Sequence, residues 1–389
     1  MKRITTVAGA AIALTLALSG CSGGGAGSGS APTTSGSASA ASNVTIGVAM
    51  PTQTSERWIQ DGNAVKAGLE KAGYSVDLQY ANDDIPTQTQ QIDQMITKGE
   101  KLLIIASIDG TALTQQLATA ASKGIKVIAY DRLINGSENV DFYVTFDNFK
   151  VGVAQANSLL YGLKLTDKDG KAVASAPAGP FNIELFAGSP DDNNAGFFFN
   201  GAMSVLQPYI DKGTLVVKSG QTKFDQVAIQ RWSQDEAQKR MENLLTSTYG
   251  GNGNGLVGVL SPFDGISRGI ITALQNVGLG PKLTDAKPLP IVTGQDAELA
   301  SVKLINDDVQ WSTIFKDTRT LAAQAVTAAQ SFLSGGTPEA NDTTTYNNGK
   351  KVVPSYLLPV VTVNKEDIKT QLVDSGYWTQ AEVDSGVAS

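Results

Sequence analysis

Polar and charged side chains gather directly after short apolar runs at several points of this chain: Gln53 to Arg57, Asp109, Asp131 with Arg132, Asp191 to Asn194, Asp264, Asp296 and Lys316. A carboxylate only accepts hydrogen bonds, Arg and Lys only donate, and Asn does both, so the set matches the mixed donor and acceptor character of a polyol. Charge-assisted hydrogen bonds are roughly twice as strong as neutral ones, which helps offset the cost of stripping water from a sugar. Trp58 and Trp232 lie among these residues and could lie flat against an apolar sugar face. Each has a structural alternative. Asp264 and Asn194 could simply cap the helices that follow them, Trp58 and Trp232 could be core, and Asp131 with Arg132 could be a surface pair. Capping alone does not require the same chemistry to recur after successive apolar runs.

The elements that must carry these residues alternate. Leu102–Ala106 and Lys126–Tyr130 flank a segment with Leu113, Leu117 and Ala121 at helical spacing and Gly124 as its stop, which reads as a βαβ unit. The runs are nearly continuous in Leu, Ile and Val, as expected of parallel strands covered on both faces. Ligands bind outside the carboxyl ends of such strands, where the polar residues fall. Strands are expected at 44–50, 75–80, 141–146, 182–187, 214–218, 256–260, 290–293 and 311–315. An extended segment is expected near 356–363 and a last helix at about 365–375. Alternation of this kind predicts doubly wound α/β sheets, its two series predict two lobes, and a cleft between lobes is the default site.

The N-terminus has a different character. Lys2 and Arg3, an apolar run from Val7 to Leu18 and the ending Leu18-Ser19-Gly20-Cys21 describe an export signal over residues 1–20, too short for a spanning helix. The ending resembles a bacterial lipobox, which makes Cys21 the expected lipidation site and membrane anchor. A plain signal peptide with an incidental Cys is the alternative. Cys21 is the single cysteine, so it has no internal disulfide partner. Residues 21–42 are mostly Gly, Ser, Ala and Thr and read as a tether with an average reach of about 25 Å.

Composition narrows the chemistry. Of 389 residues 41% are hydrophobic and 17% charged, as in ordinary globular proteins, and the net charge of −7 with no basic cluster argues against nucleic acid. There is no histidine, which excludes Ser-His-Asp and Cys-His catalysis and His-ligated zinc. No cofactor or metal is expected. Ordinary carboxylates and lysines do not titrate between about pH 5.5 and 8, and carboxylates beside Arg57, Arg132 and Lys316 are expected to be held low.

The runs Glu56-Arg57-Trp58, Ala129-Tyr-Asp131-Arg132-Leu-Ile134, Gly188-Ser-Pro-x-Asp192-Asn-Asn194-Ala195, Gly294-Gln-Asp296-Ala297 and Phe315-Lys316 resemble those of periplasmic xylose-binding proteins and the related multiple-monosaccharide-binding proteins, in order and over essentially residues 43–376. The resemblance implies a type I periplasmic-binding-protein fold. Two Rossmann-like lobes would be joined by three crossovers, near Phe146, near Trp311 and near Lys350 to Pro354. The first lobe would hold residues 43–146 and 312–349, the second 147–311 and 350–389. It further implies that Arg57, Asp131, Arg132, Asp192, Asn194, Asp296 and Lys316 hydrogen-bond the sugar while Trp58 and Trp232 pack on it. Asp264 joins the ligand-binding candidates. Ser261-Pro-Phe-Asp264 departs from the Ser-Asn-Asp of xylose-binding proteins and places Phe263 where an Asn contact would be, closer to the multiple-monosaccharide group.

The expected function is that of a monomeric, lipid-anchored extracytoplasmic binding protein. It would deliver an aldopyranose such as xylose, glucose, galactose or arabinose to the permease and ATPase of an ABC importer. A sugar-sensing partner of a chemoreceptor or kinase is the runner-up, and a glycosidase using two of the carboxylates is a third reading. A transcription regulator of the same fold is excluded by the export signal and the lack of an N-terminal helix-turn-helix.

Overall fold

The computed structural model describes residues 44–388; the expected signal peptide, Cys21 and the tether lie outside the described residues. From the first described residues the chain winds β1 (Thr45–Met50), α1 (Glu56–Lys71), β2 (Ser75–Tyr80), α2 (Ile85–Lys98), β3 (Leu102–Ile105), α3 (Thr114–Ser122), β4 (Lys126–Tyr130) and β5 (Phe142–Phe146). Local chemistry sets these limits. Asp84 caps α2 by accepting from the Thr87 N–H, Pro86 sits in its first turn, and Gly99 ends it at φ 81°.

A second series follows: α4 (Asn148–Gly162), β6 (Phe181–Leu185), α5 (Asn193–Asp211), β7 (Leu215–Val217), α6 (Phe224–Val227), α7 (Gln234–Thr248), β8 (Leu256–Leu260), α8 (Asp264–Asn276), β9 (Ile291–Val292), α9 (Leu299–Asn306) and β10 (Thr313–Phe315). The chain closes with α10 (Thr318–Leu333), β11 (Ser355–Leu358), β12 (Val361–Val363) and α11 (Gln380–Ser385).

The first lobe is a parallel sheet in the order β11-β5-β4-β3-β1-β2. One face is packed by α1 and α10 over Ile46, Val48, Ile104 and Ile128, the other by α2 and α3 over Leu103, Ile105 and Val127. Burying each such side chain contributes about 1.5–3 kcal/mol, so both faces must be covered. The second lobe is a parallel sheet in the order β7-β6-β8-β9, accompanied by an antiparallel β10–β12 pair.

The expected doubly wound lobes are present, with one boundary displaced. β11 still pairs with β5, so residues 355–358 belong to the first lobe's sheet and not to the second, and the last crossover falls between Leu358 and Val361. The single extended segment expected near 356–363 is two strands in different sheets. Pro359 separates them, because it cannot donate to a ladder and restricts the residue before it. β10 pairs with β12 outside both parallel sheets and α10 packs on the first lobe, so the chain passes between them close to the crossover expected near Trp311. The helix expected at about 365–375 is present as a 3-10 helix at Lys365–Asp367 running into a π-helix at Ile368–Val373. Among the described residues no helix is long and apolar enough to cross a membrane.

Candidate functional site

The strands of both lobes point their carboxyl ends at a cavity of ≈ 460 Å³. Arg57, in the first turn of α1, is almost fully buried and grips Asp61 one turn on, Nη2 to Oδ2 2.7 Å. The same nitrogen lies 3.2 Å from Asp131, which follows β4, and Nη1 lies 3.5 Å from Asp296, which follows β9. Lys316, which follows β10, stands 3.1 Å from Asp296 and 3.7 Å from Asp131. Arg57, Asp131, Lys316 and Asp296 thus form a buried ring of alternating charge, and a ligand entering it meets fixed donors and acceptors side by side.

Around this ring, Arg132 pairs with Asp192 at 3.1 Å, joining the end of β4 in the first lobe to the N-cap of α5 in the second. The Arg57 and Arg132 guanidinium groups lie 4.4 and 5.0 Å from the Trp58 ring centre, which fixes the indole as a wall of the cavity. Trp58 is both core and wall, since it also joins the first lobe's apolar cluster. Across the cavity Trp232 is half-buried and held edge-on by Phe198 and Phe263. Gly188 permits this: a Cβ there would stand 1.9 Å from the Trp232 ring. Among the described residues the Trp232 Nε1 has no hydrogen-bond partner.

Asn194 lines the cavity but is also bound on both sides of its amide. Its Nδ2 donates to the Asp131 carbonyl at 2.7 Å, and its Oδ1 accepts from the Asn148 Nδ2 at 3.0 Å. Asp264 is the expected site residue that the structure keeps out of the cavity. It is fully buried, and its oxygens accept from the Glu298 N–H, Thr313 Oγ1 and Gln310 Nε2 at 2.9–3.0 Å. Asp109, at another strand end, does not line the cavity and caps its own turn through Thr111.

Sequence reasoning did not select Asp83, Phe198, Arg231, Gln295, Arg268 or Glu298, which also line the cavity. Gln295 stands inside the Gly294-Gln-Asp296 run and was legible there. Arg268 and Glu298 had no local signal, because what places them is an ion pair of 2.7 Å between α8 and the start of α9. Glu298 also accepts from Ser55 Oγ at 2.7 Å, while Glu56 accepts from the Leu299 N–H at 2.9 Å, so α1 and α9 each send an acidic partner to the other's N-terminus across the cleft.

Burial pushes Asp131 up, but Arg57, Lys316 and Arg132 outweigh it and hold the carboxyl below its ordinary value. The expectation that cations keep the neighbouring carboxylates low fails at two others. Burial outweighs Arg132 at Asp192, which lies above its ordinary value, and it pushes Asp61 up to about 6 against the charge of Arg57. Asp264 is driven well up by burial and by the charge of Glu298. A general acid must hold its proton near neutral pH, and Asp131 is held the other way. Arg57, Arg132, Arg231, Arg268 and Lys316 each sit against a carboxylate, so the cations of the cavity are already neutralised. Among the described residues no group of His, Cys, Asp and Glu could hold a metal ion.

Comparison with known proteins agrees with this geometry. A family model described as periplasmic binding protein domain matches residues 46–337. The multiple sugar-binding periplasmic receptor ChvE of Rhizobium radiobacter is 57% identical over 334 residues, 86% of this chain and 90% of that one. The D-xylose-binding periplasmic protein of Escherichia coli (strain K12) is 37% identical over 340 residues, 87% of this chain and 92% of that one. The crystal structure of an ABC transporter solute binding protein from Clostridium phytofermentans with bound β-D-glucose matches with a TM-score of 0.80 at 46% identity, covering 87% of this chain and 99% of that one. This chain therefore belongs to the periplasmic binding protein domain family and is a binding protein, not an enzyme.

Proposed function

We propose that this chain is an extracytoplasmic solute-binding protein that holds one neutral monosaccharide in the cavity and delivers it to an ABC importer. The observation that carries this reading is the alternating ring of Arg57, Asp131, Lys316 and Asp296 between the walls of Trp58 and Trp232. Buried hydroxyls cost free energy unless paired, and a ring that alternates donors with acceptors pairs adjacent hydroxyls in both senses. Asp131 and Asp296 accept from sugar hydroxyls, while Arg57, Arg132, Lys316 and Asn194 donate. Asp192 accepts beside Arg132. The aromatic rings cover the apolar faces. A cavity of ≈ 460 Å³ falls in the range of small-molecule sites. Relatives named for multiple sugars, for D-xylose and for bound β-D-glucose support an aldopyranose as the solute.

Delivery is to the permease and ATPase of an ABC importer by a monomer held at the membrane through a lipid on Cys21. The lipobox-like ending at Cys21 and the Gly/Ser-rich stretch after it support the anchor. Two acyl chains on one residue are enough for stable attachment.

The test is a thermal-shift screen over D-glucose, D-galactose, D-xylose, L-arabinose and the corresponding uronic acids, followed by calorimetry and recovery of the sugar. Stabilisation by at least one neutral aldose that is recovered unchanged is the expected result. Consumption of the sugar, or no stabilisation by any aldose, overturns the reading. For the anchor, Cys21→Ser should leave unprocessed precursor or release protein into the medium. Mature-sized variant that still partitions with membranes refutes the lipid.

A further inference from the structure

The turn that presents Asp296 has a backbone that side-chain-bearing residues seldom adopt: φ is 91° at Asp296 and 50° at Ala297. Such a conformation persists when its surroundings over-determine it. Three successive N–H groups of the turn are held from beneath. The Asp296 N–H donates to the Ile314 carbonyl at 2.8 Å, the Ala297 N–H to the Thr313 hydroxyl at 3.0 Å, and the Glu298 N–H to Asp264 Oδ2 at 3.0 Å. The Thr313 hydroxyl in turn donates a hydrogen bond to that same Asp264 oxygen, 3.0 Å away. Two of the three supports therefore end on one carboxylate.

The setting is built around that carboxylate. Its other oxygen accepts from Gln310 Nε2 at 2.9 Å, and Gly294 leaves the space it occupies, since a Cβ at 294 would stand 2.1 Å from Asp264 Oδ1. Asp264 is the first residue of α8, yet the hydrogen bonds of its carboxylate go to residues 298, 310 and 313 and not to its own helix. Helix capping does not account for it.

We infer that Asp264 is a positioning residue for the bound sugar: its buried carboxylate locks the Asp296–Glu298 turn in the left-handed shape that aims Asp296 into the cavity, and it acts on affinity through Asp296. This rests on the monosaccharide reading above. It accounts for an acidic residue at a strand end that touches no part of the cavity, and for the glycine of the Gly294-Gln-Asp296 run.

The experiment is a double-mutant cycle, titrated to high-millimolar sugar with whichever of D-glucose, D-galactose, D-xylose or L-arabinose the unaltered chain binds. Asp264→Ala should lose at least tenfold in affinity in the unaltered background and less than about twofold in the Asp296→Ala background. Thr313→Val, which removes the relaying hydroxyl, should lose at least threefold, while Thr313→Ser keeps the hydroxyl and should stay within twofold. This pair carries the test if Asp264→Ala does not fold, and general loosening of the lobe would not distinguish Val from Ser in this way. Losses that multiply across the cycle, or a Thr313→Val protein that binds as the unaltered chain does, overturn the role of Asp264. An unaltered chain that binds none of the four sugars overturns the monosaccharide reading itself.

Discussion

The turns that present Asp131 and Asp296 are alike in outline and unlike in support. Each follows a parallel strand, each is left-handed at the aspartate, with φ 59° and 91°, and each donates its aspartate N–H at 2.8 Å, to Val144 and to Ile314 respectively. Both carboxylates lie between Arg57 and Lys316. The Asp131 turn is secured by neutral donors converging on one carbonyl: Tyr143 OH at 2.7 Å, Thr145 Oγ1 at 3.0 Å and Asn194 Nδ2 at 2.7 Å. The Asp296 turn has one neutral donor on a carbonyl, Trp378 Nε1 to Ala297 at 3.0 Å, while two of its three N–H supports converge on the single buried carboxyl group of Asp264. Redundant bonds spread the cost of losing any one partner, whereas convergence on one buried group concentrates it. Asn194 also belongs to the second lobe, so the first lobe's turn is completed by its neighbour.

Replacing the aspartates themselves should have the largest effect. Asp131→Ala removes the carboxylate facing Arg57, Lys316 and Arg132, and unpairing buried charges costs about 3–5 kcal/mol. We expect affinity to fall about a hundredfold or more, and about tenfold or more for Asp296→Ala, which corresponds to roughly 2.8 and 1.4 kcal/mol. Calorimetry on both variants checks the order. A smaller loss at Asp131 than at Asp296 would break the comparison.

An intermediate effect is expected from the redundant support. Tyr143→Phe removes one of the donors to the Asp131 carbonyl, so it should lower stability by about 1 kcal/mol and leave affinity within about threefold. Chemical denaturation and titration of the same sample measure the two together. A tenfold loss of affinity would mean that the neutral donors are not redundant.

The smallest effect on binding should come from pH, and it separates the cleft from the opposite end of the same sheet. There Glu100 is 2% exposed, and burial together with the neighbouring Asp77 pushes it up to about 8 from 4.5. A raised carboxyl stabilises the fold fully below about pH 4.5. Above that the unfolded chain gives up the proton while the folded one keeps it, so the contribution falls with rising pH and is gone above about 8. Melting temperature should therefore drop between pH 5 and 8, and Glu100→Gln should flatten the profile. Affinity should vary less than about threefold from pH 6.5 to 8.5, because Asp131 is held low. Parallel melting profiles for the two proteins would remove Glu100 as the cause.

Much of the cleft was legible in the sequence because its parts are local. Continuous apolar runs, helical spacing and stops such as Gly99 define the βα alternation. The alternation places Arg57, Asp131, Asp192, Asn194, Asp296 and Lys316 at one edge, where the structure brings them together. What tertiary structure alone decided depends on partners far away in the chain. Asp264 reads as one more strand-end carboxylate until Gly294 and Gln310 are seen to seat it beneath the Asp296 turn, outside the cavity. The pairing of β11 with β5 is settled across about two hundred residues of chain, beyond any local pattern, and it moves a lobe boundary past Pro359. Asp61 and Glu100 titrate near neutral pH because of the water they lose on burial. A sequence carries the charge of a carboxyl, and only the packed structure sets how much solvent is left to stabilise it.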